Sequence, residues 1–236
     1  RNRPSLYWSL LACQHVGAIP VPLYQDAVAE EMEYILSHCG ASFAIVGDQE
    51  QVDKILEISD RLKGFKDIVF VDPKGLRKYD NKNLHSLTDI LEIGSSDSAE
   101  LDKELNSRVE KVTGDTTCVL LYTSGTTGKS KGVVQTHRAI IGASGGANQH
   151  DSWTHDDYLL SYLPMAWVGD FMISVAQGMG AGACINCPEG AETMQVDLRE
   201  IGPSIFFGPP PLWERLKTSV FIRIEDAAFF KKAAFN

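Results

Sequence analysis

Apolar positions recur at near-helical spacing through Leu6, Leu10, Leu11 and Val16, and Gly17 stops the run. The next stretch, Ile19-Pro-Val-Pro-Leu23, is held extended because proline is excluded from a helix interior. Helical spacing resumes from Glu30 to Cys39 through Met32, Ile35 and Leu36, and Gly40 closes it. A strand over Ser42 to Val46, a helix over Gln49 to Leu62 closed by Gly64, and a strand over Ile68 to Val71 follow. This β-α-β alternation predicts an α/β fold, with mostly parallel sheets carrying helices on both faces. Asp72 to Asp115 is a polar excursion in which the pattern gives two helices, Leu84 to Ile93 and Ala99 to Val109, capped by Thr88 and Ser98. The organisation expected is therefore a scaffold over 1–71, the excursion over 72–115 and a third part over 116–236.

In that third part an apolar run, Cys118 to Tyr122, empties into a loop of Gly, Ser, Thr and Lys, and Val133 and Val134 resume the apolar pattern. The order is strand, loop, strand. Successive backbone N–H groups in such a turn form an anion-holding concavity, and hydroxyls at Thr123, Ser124, Thr126 and Thr127 add donors or metal ligands. Lys129 and Lys131 supply positive charge, while Gly125, Gly128 and Gly132 let the backbone come close to a ligand. Further on, His137 to Ala147 reads as a helix whose Gly142, Gly145 and Gly146 imply a close neighbour or ligand, with His137 capping or packing. Strands are expected over Tyr158 to Leu163, around Ile185 and over Ser204 to Phe207, and helices over Met194 to Ile201 and Asp226 to Phe235. Trp167, Phe171 and Met172 fit either the core of an amphipathic helix or the lining of a pocket, and Asp170 fits a structural hydrogen-bond acceptor.

With 236 residues, 44% hydrophobic and 22% charged, the chain can bury a sizeable core. A net charge of −9 leaves no basic field to steer nucleic acid, yet one loop and a metal suffice for ATP. No apolar run is long enough to span a membrane. The five scattered cysteines suit a reducing cytoplasm, and Cys184 and Cys187 lack the second pair a zinc site needs, so they read as buried or half-buried thiols. The first residue is Arg1 rather than Met, so a preceding segment stays open.

The stretch Tyr122 to Val133 resembles the signature loop of the adenylate-forming (AMP-binding) enzymes, Tyr-Thr-Ser-Gly-Thr-Thr-Gly-x-Pro-Lys-Gly-Val, at every defined place except Ser130, where the family usually has proline. Val16 to Leu23 is similar to the family's Ala-Gly-Ala-x-x-Val-Pro-Leu segment, a scaffold feature. Leu163 to Phe171 resembles its Leu-Pro motif beside the carboxylate pocket, with Trp167 where many members have histidine. Gly208 to Arg215 looks like the Pro-Arg-Val-Trp-Glu-Lys stretch of the long-chain fatty acid:CoA ligases, with Pro211 in place of arginine. The resemblance implies an incomplete N-terminal large domain of an acyl-CoA synthetase-like fold. It implies a fatty acid, ATP and coenzyme A as substrates, with Mg2+ as the metal.

Carried onto this sequence, the family's roles place Thr123, Ser124, Gly125, Thr126, Thr127, Gly128 and Lys129 on the phosphates. Thr123 becomes a magnesium ligand, Lys131 the catalytic charge near pyrophosphate, and Trp167, Phe171, Gly208 and Pro209 the border of the acyl pocket. The family's later Tyr-Gly-x-Thr-Glu and Thr-Gly-Asp motifs, and its C-terminal domain with a lysine, do not occur before Asn236. The expectation is an N-terminal part that does not turn over alone and whose partner is the rest of its own chain. Cytoplasmic residence and peripheral membrane association are both compatible with it. Two other readings stay open, a P-loop NTPase and a non-catalytic nucleotide-binding remnant. Gly128, Lys129 and Ser130 fit the second half of the P-loop pattern, but Thr123 stands where its first glycine belongs.

Overall fold

A computed structural model of the chain describes residues 1–95, 98–123 and 128–225. Helix α1 (Pro4–His15) opens on a proline, whose fixed φ and missing N–H suit a first turn. Helices α2 (Ala29–Cys39) and α3 (Gln49–Ser59) follow, separated by β1 (Phe43–Val46). The α2 helix ends on Gly40 in the left-handed conformation, and α3 starts on Asp48, whose side chain accepts the Gln51 N–H. Strands β1, β2 (Asp67–Phe70) and β3 (Leu84–Ser86) form one parallel sheet in that order. The inward faces of α2 and α3 meet it in a core of Met32, Leu36, Val52, Ile55, Ile58 and Ile68.

The polar excursion departs from the expected pattern at its start. Leu84 to Ser86 is the third strand of the parallel sheet, and α4 (Leu87–Gly94) begins only after it, capped by Ser86 rather than Thr88. Backbone pairing with Ile68 to Phe70 outweighs the helical spacing of these three residues, because local propensity over so short a stretch is overridden by tertiary context. Ser98 caps α5 (Ala99–Glu110) as the sequence implies.

The second core forms around β4 (Thr117–Thr123), which pairs antiparallel with β5 (Lys131–Thr136). Val119 and Leu121 are buried there with Tyr7 and Leu10 of α1, Ile140 of α6 (His137–Asp151), Met165 and Phe171. The extended N-terminal segment is tied to the same place, because Leu120 donates its N–H to Pro20 O at 3.1 Å. Thr136 caps α6, and no close neighbour among the described residues explains its glycines Gly142, Gly145 and Gly146.

Strands β6 (Tyr158–Leu160) and β7 (Cys184–Asn186) run parallel, and the expected strand over Ser204 to Phe207 reduces to one bridge between Leu159 and Ile205. Pro203 just ahead lacks the N–H a longer ladder would use. Between β6 and β7 the chain turns once as α7 (Val168–Asp170), widens into a π-helix over Phe171–Gly178 and closes as α8 (Met179–Ala181). Helices α9 (Met194–Ile201) and α10 (Pro210–Glu225) complete the described chain, and the helix expected over Asp226 to Phe235 lies outside the described residues. Cys184 is exposed and Cys187 half-buried, so the first departs from the burial expected of the pair. Among the described residues no helix is long and apolar enough to cross a membrane.

One buried carboxylate joins α1, β6 and the π segment. Asp170 Oδ2 accepts hydrogen bonds from Asn2 Nδ2 at 3.1 Å, Ser161 Oγ at 2.9 Å and Ser174 Oγ at 3.2 Å, while Tyr7 OH donates to Ser161 Oγ at 2.6 Å. Desolvation raises the carboxyl to about 6 from 3.8, even though all three donors pull the other way. The folded protein therefore binds this proton more tightly than the unfolded chain does. Its stabilising effect is present at low pH and fades as the pH rises through about 4 to about 6, by at most about 3 kcal/mol. Urea unfolding followed by circular dichroism should show wild type losing stability relative to Asp170→Asn across that window. A constant gap between the two proteins would refute the shifted carboxyl.

Candidate functional site

The β4–β5 hairpin carries the predicted loop at its turn, between the end of β4 and the start of β5. Its register pairs Tyr122 with Gly132 and Thr123 with Lys131, so the last threonine of one strand and the first lysine of the next stand side by side. Both are exposed. Gly128 has φ 110°, a backbone region that a side chain would strain, so glycine is required at this point of the turn. Lys129 Nζ lies 5.1 Å from the centroid of the Tyr34 ring. Ser124, Gly125, Thr126 and Thr127, the predicted crown of the phosphate site, lie outside the described residues. Thr123, Gly128, Lys129 and Lys131 are thus brought to one end of one hairpin.

A P-loop delivers its phosphate to a helix N-terminus, because the loop runs from a strand straight into a helix. Here it runs into β5, and α6 starts only after Thr136. The missing helix removes the P-loop NTPase alternative.

The other predicted residues divide. Trp167 stacks on Phe207 with ring centroids 5.9 Å apart, one residue before Gly208. Around that glycine stand Tyr162, stacked on Phe206 at 5.5 Å, and Trp213, edge-on to Phe206 at 5.5 Å. Tyr162 OH donates to Phe207 O at 3.0 Å and Trp213 Nε1 to Gly208 O at 2.9 Å. Desolvation, with the Asp170 charge adding to it, pushes the Tyr162 phenol up to about 12, so the hydroxyl stays a donor. Pro209, the residue before α10, accepts the Leu212 N–H at its carbonyl. Phe171 is elsewhere, fully enclosed in the second core, so its side chain lines no open surface here. Sequence reasoning passed over Tyr162, Phe206 and Trp213 as a group, although three aromatics flanking a Gly-Pro turn could have marked them.

Thr123 fits a magnesium role on donor chemistry, since Mg2+ takes one or two protein oxygens and completes its shell with phosphate and water. Among the described residues no cluster of three His, Cys, Asp or Glu offers a protein cage for a metal.

The model of the AMP-binding enzyme family matches residues 1–235. The chain belongs to the AMP-binding enzymes. This family member is 29% identical over 224 residues to the long-chain-fatty-acid–CoA ligase ACSBG2 of Homo sapiens, covering 93% of this chain and 33% of that protein. It is 30% identical over 239 residues to the long chain acyl-CoA synthetase 5 of Arabidopsis thaliana, covering 97% and 34%. The chain spans about a third of the length of the curated relatives it matches. A long-chain-fatty-acid-CoA ligase (FadD1) from Archaeoglobus fulgidus superposes with a TM-score of 0.74 at 20% identity, over 96% of this chain and 41% of that one. The ATP-bound MatB from Rhodopseudomonas palustris superposes with a TM-score of 0.65 at 20% identity, over 91% and 39%. At these identities the likeness is one of fold, and the mixed α/β architecture is that of the N-terminal part of acyl-CoA synthetase-like proteins.

Gly208 gives a direct test of the aromatic cluster. A Cβ there would fall 2.6 Å from Leu212 Cδ2, 3.1 Å from Tyr162 OH and 3.3 Å from Trp213 Nε1. The leucine tip can swing away, but both hydrogen-bonded rings must shift. Gly208→Ala should weaken the near-ultraviolet dichroism of the tryptophans while leaving the far-ultraviolet signal intact, and an unchanged near-ultraviolet spectrum would contradict this packing.

Proposed function

We propose that this chain carries the phosphate-gripping and acyl-facing part of an ATP-dependent long-chain fatty acid:CoA ligase. The observation that carries the reading is the exposed Thr123–Lys131 pair at the loop end of the β4–β5 hairpin, set on either side of the Thr-Ser-Gly-Thr-Thr-Gly loop. Curated relatives named as long-chain-fatty-acid ligases support the acyl class.

In the proposed reaction a fatty acid carboxylate oxygen attacks the α-phosphorus of ATP, pyrophosphate leaves, and the thiol of coenzyme A then displaces AMP from the acyl-adenylate. Catalysis of phosphoryl-group chemistry is mainly positioning and charge neutralisation. Lys131 stands at a strand start whose backbone is fixed by six paired positions, which tethers its ammonium beside the loop, within reach of the pyrophosphate of the proposed reaction. Thr123 offers its hydroxyl to Mg2+, which supplies further neutralisation of the phosphates when bound. Gly128 lets the backbone approach the anion, and Lys129 adds a second charge. On the acyl side, the aromatic faces of Trp167, Phe206, Phe207 and Trp213 offer an apolar wall around Gly208 and Pro209.

The test is ATP–pyrophosphate exchange in the complete natural enzyme. The double variant Thr123→Ala with Lys131→Ala should lose exchange by at least about a thousandfold, the scale of removing preorganised electrostatic contacts. Exchange at the wild-type rate in the double variant would sink the reading. Wild type that binds Mg-ATP and never exchanges would instead mark a nucleotide-binding remnant.

A further inference from the structure

The descending arm of the loop, Lys129 to Gly132, is gripped from outside the hairpin by one face of α2. Tyr34 and His38 are four residues apart on that helix, and their rings stack with centroids 5.6 Å apart. Tyr34 OH donates to Ser130 O at 3.1 Å, and the Lys129 ammonium sits over the same ring. His38 Nδ1 lies 2.7 Å from Tyr122 OH, and the two rings meet edge to face at 5.8 Å. The Tyr122 ring in turn lies over Gly132, where a Cβ would fall 3.1 Å from Tyr122 Cζ. Three points of the arm, Lys129, Ser130 and Gly132, are therefore fixed through two α2 side chains.

We propose that Tyr34 and His38 are positioning residues for the phosphate-binding arm. Ser130 occupies the place where the family pattern has proline, so the backbone there lacks a ring to lock φ. The Tyr34 hydroxyl restrains that residue instead, through its carbonyl. The same ring lodges Lys129 by cation–π attraction, which keeps the ammonium beside the loop without neutralising it, so it is free to transfer to an arriving triphosphate. His38 holds Tyr122, whose ring seats Gly132 and with it the strand position of Lys131. An arm ordered in advance costs less to order on binding, so the clamp acts on ATP affinity rather than on the chemical step. This rests on the loop being the ATP site proposed above.

Two measurements separate the clamp from that reading. The first needs no ATP: trypsin cleaves after Lys129 and Lys131, and the rate at these bonds reports how firmly the arm is held. Tyr34→Leu removes both the hydroxyl bond and the ring, Tyr34→Phe keeps the ring, and His38→Phe keeps the stack but loses Nδ1. Tyr34 is half-buried and His38 exposed, which leaves the core of α2 untouched. Cleavage after Lys129 and Lys131 should quicken about tenfold in Tyr34→Leu relative to cleavage after Lys111, with smaller gains in the other two. Unchanged cleavage overturns the clamp, whatever ATP does.

The second measurement is ATP–pyrophosphate exchange in the complete natural enzyme. The KM for ATP should rise about tenfold in Tyr34→Leu and less in Tyr34→Phe, while kcat and the KM for the fatty acid stay within about twofold. Faster cleavage with an unchanged KM for ATP overturns the positioning role. Wild type without exchange rejects the ligase reading, and the trypsin result still decides whether α2 holds the arm.

Discussion

A carboxylate taken out of water must find donors inside the protein, and the second half of this chain is arranged so that Asp170 does. Its Oδ2 collects an amide from the first residues of the chain, a hydroxyl from the end of β6 and another from the following helix. Those groups are 168 and 9 residues away on one side and 4 on the other. The network therefore sets where α1 docks, where β6 ends and how the helix after it begins. The helix widens into π geometry over Phe171–Gly178, in the stretch where Ser174 turns its hydroxyl back onto the Asp170 carbonyl at 2.7 Å. Wide turns of this kind recur at functional sites, and this one begins four residues after Trp167.

The fold was legible wherever one signal was strong and local. Helices α2, α3 and α9 and the strand-loop-strand order of β4 and β5 follow from periodicity, capping residues and glycine stops, each of which acts within a few residues. Leu84 to Ser86 failed for the opposite reason. Three residues carry too little periodicity to declare themselves, and their state is decided by a strand edge offered by Ile68 to Phe70. The glycines of α6 suggested a close neighbour or a ligand, and among the described residues no neighbour approaches them.

The candidate site divides along the same line. Its proposed phosphate half is contiguous, so one hairpin register brings Thr123 and Lys131 together and the sequence names both. Its proposed acyl half is assembled from Tyr162, Trp167, Phe206, Phe207 and Trp213, whose rings come together only when β6 and the segment after α9 are in place. Phe171 shows the limit of motif reading: it belongs to the motif, yet its position on the helix turns it into the second core. The Tyr34–His38 face was invisible in principle, since helical spacing placed both residues on α2 but nothing in spacing says which strand that face meets.

Trp167 sharpens what the acyl half can do in the proposed reaction. An indole has a single N–H, donates only, and does not exchange protons near neutral pH, whereas a histidine at the same place could accept, donate or titrate. Stacked on Phe207, the indole can shape and orient an acyl group but cannot shuttle a proton for it. The buried carboxylate nearby is already committed to Asn2, Ser161 and Ser174. Attack of a carboxylate on a phosphorus needs no base, because the nucleophile is ionised before it arrives. A site that supplies walls on one side and charge on the other therefore needs no proton relay for the proposed adenylation step, and the histidine of the family pattern can be replaced by an aromatic wall without removing one.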